Sequence, residues 1–175
     1  MGTRGLTKVT SGGKTKVAQY GQWDHYPEGQ GVTILNFLKQ FKGDYSTFIK
    51  RLKDVRFATK KDEKEVETFM KSIGVTDGWM DGDQAGKYHE KYPLLTRDNG
   101  AGVLQMIMDS KEKKMFLTDS SSFVDDGLWC EWWYHIDLDH NVFEVYNGPK
   151  SKVKFYKLDN LPAEKKFIKE CTPKD

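Results

Sequence analysis

Residues 127–147 have the sequence GLWCEWWYHIDLDHNVFEVYN, and this segment determines the architecture expected for the chain. Aromatic and β-branched residues dominate 127–138 and 142–147, and the turn-forming residues Asp139-His140-Asn141 separate the two runs. This composition predicts two strands joined as a long hairpin. Further strands are expected at 114–118 and 151–157. The last third of the chain is therefore predicted to be mainly β structure.

A second hairpin is predicted at the N-terminus. Residues 4–10 and 15–20 have the composition of short strands, and Ser11-Gly12-Gly13-Lys14 has that of a turn. Gly13-Lys14-Thr15 is similar to the end of a phosphate-binding loop, but Lys8 stands where that loop needs its first glycine. We therefore assign these residues to the hairpin turn.

The middle of the chain is predicted to be helical. Apolar residues recur at helical spacing, Asp44 is placed to cap one helix, and Gly74 is placed to end another. Residues 75–98 are expected to be irregular. Helices are predicted at residues 31–42, 45–55, 61–73, 99–108 and 162–170. The expected fold is α+β: one domain over 1–175, with an antiparallel sheet from both hairpins packed against the central helices.

Composition limits the class of protein. The chain has 175 residues, of which 37% are hydrophobic and 31% charged, and no apolar run approaches the roughly 18 residues of a membrane span. Its start lacks the pattern of a secretion signal, and its two cysteines are too few for a disulfide scaffold. We expect a cytoplasmic protein with reduced thiols and no membrane partner.

Charge is unevenly distributed along the chain. Residues 36–65 and 149–175 are rich in lysine, whereas 66–148 are acidic. Such stretches are typical of solvated faces, and the chain has neither a basic arm nor zinc-finger spacing. Nucleic acid is therefore not the expected partner.

The segment 20–31, YGQWDHYPEGQG, has the composition of a ligand site. Trp23 and Tyr26 supply rigid apolar surface, and Asp24 supplies charge. Gly29 and Gly31 open a helix whose N-terminal amides would suit an anion. The alternative is a tightly packed connection from strand to helix, in which Asp24 only binds backbone amides.

Arg4 and the segment 129–135 are the other candidates. If Arg4 is buried, its charge needs Asp24, Glu131 or a ligand as partner. Alternation along a strand would place Glu131 beside two tryptophans and a histidine, where it could act as a general acid or base. Cys130 would need a histidine as base to act as a nucleophile, and His135 is expected on the opposite face of the strand.

No metal site or cofactor is predicted. Asp137-Leu138-Asp139-His140-Asn141 begins like a calcium loop, but Val142 and Gly148 replace its required glycine and glutamate. Asp77, Asp81 and Asp83 are more typical of a solvated turn, and the four histidines show no metal-ligand spacing.

Several motifs together resemble a family of short bacterial and bacteriophage proteins. They are Gly2-Thr3-Arg4-Gly5, the Trp-Asp-x-Tyr-Pro-x-Gly pattern beginning at Trp23, the aromatic run 129–134, Leu-Leu-Thr-Arg-Asp at 94–98, and the strings at 137–139 and 144–148. The resemblance covers most of the chain, although the lysine-rich 42–65 lies outside it, and it brings no established reaction. A phage origin would imply a role against host defences in the host cytoplasm, for instance sequestering a nucleotide signal.

The leading hypothesis is a protein that binds an anionic, nucleotide-like small molecule. The alternatives are a hydrolase or transferase with Glu131 or Asp24 as general base and Cys130 as a more distant candidate nucleophile, and a module that binds a host protein. The candidate ligand-binding residues are Thr3, Arg4, Trp23, Asp24, Tyr26, Gly29, Gly31, Arg97, Glu131 and Trp132.

Overall fold

The computed structural model describes residues 2–173, and a five-stranded sheet organises them. The strands lie in the order β2-β1-β5-β6-β7, and three of the four pairings are antiparallel. The strands are β1 (Gly5–Ser11), β2 (Lys14–Gly21), β5 (Trp132–Asp137), β6 (Val142–Asn147) and β7 (Lys152–Lys157). The predicted α+β class and both hairpins are confirmed.

The pairing of β1 with β5 is parallel, so the sheet is mixed rather than purely antiparallel as predicted. Parallel neighbours need a long crossover connection, and the helical middle of the chain provides it. A second, two-stranded parallel sheet pairs β3 (Val55–Phe57) with β4 (Met115–Leu117). Val55, predicted to end a helix, therefore lies in a strand.

Six α-helices occur within residues 2–173. Most follow the predicted apolar periodicity, and Gly74 ends one of them with a φ of +90°. They are α1 (Val32–Lys39), α2 (Ser46–Leu52), α3 (Lys60–Ser72), α4 (Gly82–Lys91), α5 (Val103–Asp109) and α6 (Glu164–Cys171).

Helix α4 corrects the prediction that residues 75–98 are irregular. It has no buried residue, so it offers no apolar stripe for a sequence pattern to detect. Its N-terminus is fixed by a reciprocal pair of hydrogen bonds between Asp81 and Gln84. The helix predicted at 99–108 is also shorter, because a 3₁₀ helix at Arg97–Gly102 precedes α5.

The main core lies between one face of the large sheet and the helices. Tyr134 and Phe143 project from neighbouring strands, and Phe143 stacks on Phe167 of α6 with ring centroids 5.9 Å apart. Ile34 and Leu35 of α1 are fully buried in the same cluster. We call this the inner face of the sheet.

The opposite, outer face carries a smaller apolar cluster of Leu6, Cys130 and Trp133. The strand predicted at 127–138 begins only at Trp132, so alternation does not extend back to Cys130. The prediction that Cys130 and Trp133 lie on opposite sides of the strand is therefore wrong. The two residues lie on the same side. No helix in the described part of the chain is long and apolar enough to cross a membrane.

Candidate functional site

Three of the sequence motifs meet at the end of the sheet where β1 and β5 begin and β2 ends. The amide of His25 donates to the carbonyl of Thr3 (3.1 Å), and the amide of Glu131 donates to the carbonyl of Arg4 (3.2 Å). The N-terminal segment thus runs between the 20–31 segment and the aromatic run. This contact of distant segments creates the candidate site.

The imidazole of His25 forms the floor of this region and is fully buried. Burial lowers the pKa of His25 to about 4, although the backbone of Trp23 and the charge of Asp24 act in the opposite direction. Neither ring nitrogen finds a hydrogen-bond partner among residues 2–173. The backbone carbonyl of His25 accepts a hydrogen bond from the buried Tyr134 hydroxyl at 2.6 Å. His25 is thus a neutral group inside the fold.

The turn after His25 uses its backbone amides internally. The amides of Gly29 and Gly31 both donate to the carbonyl of Tyr26, at 3.0 and 3.4 Å, and the amide of Gln30 donates to that of Asp24 at 2.7 Å. These groups are therefore not free to receive an anion, contrary to the prediction. Close packing explains both glycines: a Cβ on Gly29 would lie 2.2 Å from the Asp24 carbonyl oxygen, and one on Gly31 2.9 Å from the Tyr134 hydroxyl.

Within residues 2–173, no carboxylate forms an ion pair with Arg4. Its guanidinium carbon lies 4.5 Å from the centre of the Trp129 ring, and no described residue accepts a hydrogen bond from its buried Nε. The predicted partners Asp24 and Glu131 form no ion pair with it. Arg4 is only half-buried, so its charge does not require a protein carboxylate as partner.

Arg97 is held next to the same region. Its Nη2 donates to the side-chain oxygen of Gln22, which also accepts from the Tyr20 hydroxyl. The guanidinium lies 5.7 Å from the centre of the Tyr20 ring. No carboxylate of the described residues forms an ion pair with Arg97.

Three aromatic rings are exposed in the segments that meet here. Trp23, Tyr26 and Trp129 are 52%, 37% and 46% exposed. A Cβ on Gly2 would lie 2.3 Å from the Trp23 ring, so this ring covers the N-terminal segment two residues before Arg4. We define the arginine surface as Arg4, Trp23, Tyr26, Arg97 and Trp129.

Trp132 does not belong to this surface. It is only 6% exposed and packs in the main core, so it cannot stack on a ligand as predicted. Trp129 takes that place instead, because the chain before Trp132 leaves the sheet. The sequence contained this residue in the aromatic run, but strand alternation did not distinguish it from its neighbours.

The two candidate carboxylates are exposed. Asp24 accepts a hydrogen bond from the Tyr26 hydroxyl at 3.1 Å, and this raises the pKa of Tyr26. Asp24 adopts a left-handed backbone, with φ of +56°. Glu131 precedes the strand, so the apolar enclosure expected for a general acid or base does not form. Both carboxylates remain available as hydrogen-bond acceptors.

Cys130 has the environment of an inert thiol. It is 3% exposed, and burial raises its pKa to about 12, with the charges of Asp126 and Glu131 acting in the same direction. Its Sγ lies 3.8 Å from the Trp132 carbonyl. A protonated thiol is a poor nucleophile, so the geometry does not favour this candidate.

The acidic loop residues have structural contacts. Asp77 accepts from the Trp79 amide, Asp81 caps α4, and Asp83 pairs with Lys87 on the same helix. Asp139 accepts from the amides of Gly12 and Gly13, which ties the two hairpins together. Within residues 2–173, no group of three His, Cys, Asp or Glu side chains is arranged to hold a metal ion.

Sequence reasoning missed a polar network on the outer face. Thr10, His135 and Glu144 are joined by hydrogen bonds across three adjacent strands. Their positions on the same face follow from strand alternation, which gives a signal for His135 and Glu144. No sequence pattern indicates that β1, the strand that supplies Thr10, pairs with β5.

A comparison of the chain with protein-family models, with curated proteins and with solved structures found no match.

Proposed function

We propose that the chain binds a small anionic ligand with a flat ring, a nucleotide-like molecule, at the arginine surface. The observation that carries this proposal is the state of the four arginines. Arg51 and Arg56 form ion pairs with Asp54 and Asp62, whereas no described carboxylate pairs with Arg4 or Arg97.

The two pairs of arginines differ in how their hydrogen-bond donors are used. Arg51 also donates to three backbone carbonyls, those of Ile107, Ser110 and Glu112, so its donors are used to hold the fold. Among the described residues, the Arg4 guanidinium contacts the Trp129 ring and forms no hydrogen bond or ion pair. A guanidinium held in place with donors to spare suits a phosphate or carboxylate, which it can bind through two parallel hydrogen bonds.

The exposed rings supply the second half of the recognition. Stacking of a nucleic-acid base on an aromatic side chain contributes about 1–3 kcal/mol. Trp23 and Trp129 are more than two-fifths exposed and lie against the N-terminal segment that carries Arg4. A ligand whose anionic group reaches Arg4 could therefore place its ring on one of these tryptophans. Asp24 and Glu131 would accept hydrogen bonds from amino groups on the ring.

The test is a thermal-shift screen followed by calorimetry. The panel contains mononucleotides, cyclic dinucleotides and ADP-ribose derivatives, and the variants are Arg4→Gln and Arg97→Gln. A ligand at about 100 times its dissociation constant adds about 2.7 kcal/mol to the free energy of unfolding, which raises the melting temperature by several degrees. Each variant should weaken binding at least about tenfold, because it removes hydrogen bonds to a charged group.

Lys113→Gln is the matched control, because it removes one exposed positive charge from a different part of the chain. Binding to this variant should equal binding to the unaltered protein. If Arg4→Gln fails to fold, the exposed Arg97 still tests the surface. The proposal would be overturned if no compound in the panel raised the melting temperature. It would also be overturned if both arginine variants bound the ligand as tightly as the unaltered protein. Sequestration of a nucleotide signal against host defences belongs to the same proposal and depends on the same result.

The same surface favours a second candidate, a module that binds a host protein. Leu128, next to Trp129, is 76% exposed, so apolar surface extends beyond the two arginines. Aromatic and arginine side chains are also the residues that dominate protein interfaces. Stable co-purification of a partner that is lost in Trp129→Ala, together with a flat ligand panel, would support this candidate.

A further inference from the structure

A chain of three hydrogen-bonded side chains crosses the outer face of the sheet. Thr10 Oγ1 lies 2.8 Å from His135 Nε2, and His135 Nδ1 lies 3.0 Å from Glu144 Oε2. The three residues belong to β1, β5 and β6, which are neighbours in the sheet. The strand register therefore fixes their spacing, without help from a loop.

The direction of these hydrogen bonds can be deduced. Burial alone would raise the pKa of Glu144, but hydrogen bonds from Lys152, His135 and Tyr146 lower it below its ordinary value. Glu144 is thus a carboxylate at neutral pH and only accepts. His135 Nδ1 must therefore carry the proton that it shares with Glu144.

The opposite ring nitrogen then accepts from threonine. Burial lowers the pKa of His135 despite the opposing effect of Glu144, so the ring is neutral at pH 7 and its Nε2 has a free electron pair. The Thr10 hydroxyl must donate to that electron pair. Hydroxyl, base and orienting carboxylate are thus arranged as in a hydrolytic triad.

We propose that Thr10 is the nucleophile of a second, covalent site that cleaves small carboxylic esters, with His135 as general base and Glu144 as the positioning residue that holds the imidazole. The site lies six residues along β1 from Arg4, about 20 Å at the usual rise per residue of a strand. It is therefore separate from the arginine surface and does not depend on the proposed function there.

The surroundings of the three residues suit a small ester. Lys8 lies opposite His135 in the strand register, and its charge acts on that ring. Its ammonium group would stabilise the negative charge on the ester oxygen. On the other side, Trp133 and Tyr146 stack with ring centroids 3.8 Å apart, and Trp133 lies 6.4 Å from His135. This stacked pair packs beside the His135 ring on the side away from Thr10, which lies opposite Asp137 in the strand register.

The reaction balances with water as the only co-reactant. Thr10 Oγ forms a bond to the ester carbonyl carbon, its proton passes to His135 Nε2, and the carbonyl electron pair moves to oxygen. Collapse of this intermediate breaks the bond to the alcohol, which leaves with the proton from His135. Water then attacks the acyl-threonine in the same way. The products are the carboxylic acid, the alcohol and the unmodified Thr10.

The probe is p-nitrophenyl acetate. We expect a burst of nitrophenol equal to one equivalent of protein, and intact-mass and peptide analysis should place one acetyl group on Thr10. Thr10→Val should remove both signals. Glu144→Gln should slow acetylation at least about 100-fold, because the imidazole loses its required tautomer. Thr10→Ser should keep acetylation at position 10, since it retains the hydroxyl.

Ser11→Ala is the control, because it removes the neighbouring hydroxyl of the same strand. It should react like the unaltered protein. Acetylation confined to lysines, or a burst that persists in Thr10→Val, would overturn the proposal. If Thr10→Val fails to fold, the position of the acetyl group in the unaltered protein and in Thr10→Ser decides the question.

Discussion

Gly5 and Gly21 face each other across the β1–β2 ladder, and the imidazole of His25 occupies the space that their missing side chains leave. A Cβ on Gly5 would lie 2.3 Å from Cδ2 of that ring, and one on Gly21 would lie 2.0 Å from Cε1. Real Cβ atoms do not come so close. The two glycines and the buried histidine therefore form one packing unit, which begins directly after Arg4 in the sequence.

The first prediction concerns this unit. Gly21→Ala should lower the free energy of unfolding by about 1–3 kcal/mol, the usual cost of overpacking, measured by urea denaturation. Gly86→Ala is the control, because Gly86 is exposed inside α4 with open space around it. That change should instead stabilise the protein by up to about 1 kcal/mol. Equal stability of Gly21→Ala and the unaltered protein would contradict the packing described.

The second prediction concerns acid stability. Burial lowers the pKa of His25 from 6.5 to about 4, so the unfolded chain takes up this proton at a higher pH than the folded protein. The free energy of unfolding should therefore fall as the pH decreases from 6.5 to 4, by about 3 kcal/mol from this group. His25→Phe removes the titrating group and should show a correspondingly shallower pH dependence over this window. Parallel curves for the two proteins would show that His25 does not contribute.

A third prediction separates Trp129 from an ordinary surface tryptophan. Trp129→Ala should weaken the binding of a ligand identified in the screen by roughly 5- to 150-fold, since it removes a stacking platform of about 1–3 kcal/mol. Trp79→Ala is the matched control, because Trp79 is 83% exposed and lies outside the arginine surface. Calorimetric titration of both variants gives the comparison. If Trp129→Ala binds as tightly as Trp79→Ala, Trp129 does not stack on the ligand.

The fourth prediction tests the thiols. Burial raises the pKa of Cys130 to about 12 and that of Cys171 to about 11, so both remain protonated at neutral pH. Iodoacetamide at pH 7.5 should therefore leave the native protein unmodified over minutes and alkylate both thiols in denaturant. Rapid alkylation of Cys130 in the native protein would contradict this prediction and support Cys130 as a nucleophile.

The sequence predicted most elements because their apolar residues follow the period of a strand or a helix. It missed α4, which buries no residue completely, although Asp81 and Gln84 have the spacing of a capping pair. It also extended β5 back to residue 127, because aromatic residues favour strands wherever they occur. In the structure, the chain before Trp132 leaves the sheet, and the Glu131 amide donates to the Arg4 carbonyl. This contact joins distant segments of the chain, so local sequence patterns do not predict it.

The candidate site was predictable in its location but not in its contacts. Composition drew attention to Arg4, Trp23 and the aromatic run 129–134, and the structure places Arg4, Trp23 and Trp129 at one end of the sheet. The absence of a carboxylate partner for Arg4 among the described residues depends on where Asp24 and Glu131 point, which spacing does not determine. The link between Thr10 and His135 depends on the parallel pairing of β1 and β5, and local periodicity does not encode that pairing.

That parallel pairing also sets the order in which the protein can fold during synthesis. Residues 5–10 are synthesised more than 120 residues before their partners at 132–137. Until those partners emerge, one edge of the N-terminal hairpin stays unpaired. Contacts between such distant segments slow folding, because a long loop must close before they form. Completion of the sheet is therefore expected to be a late step in folding.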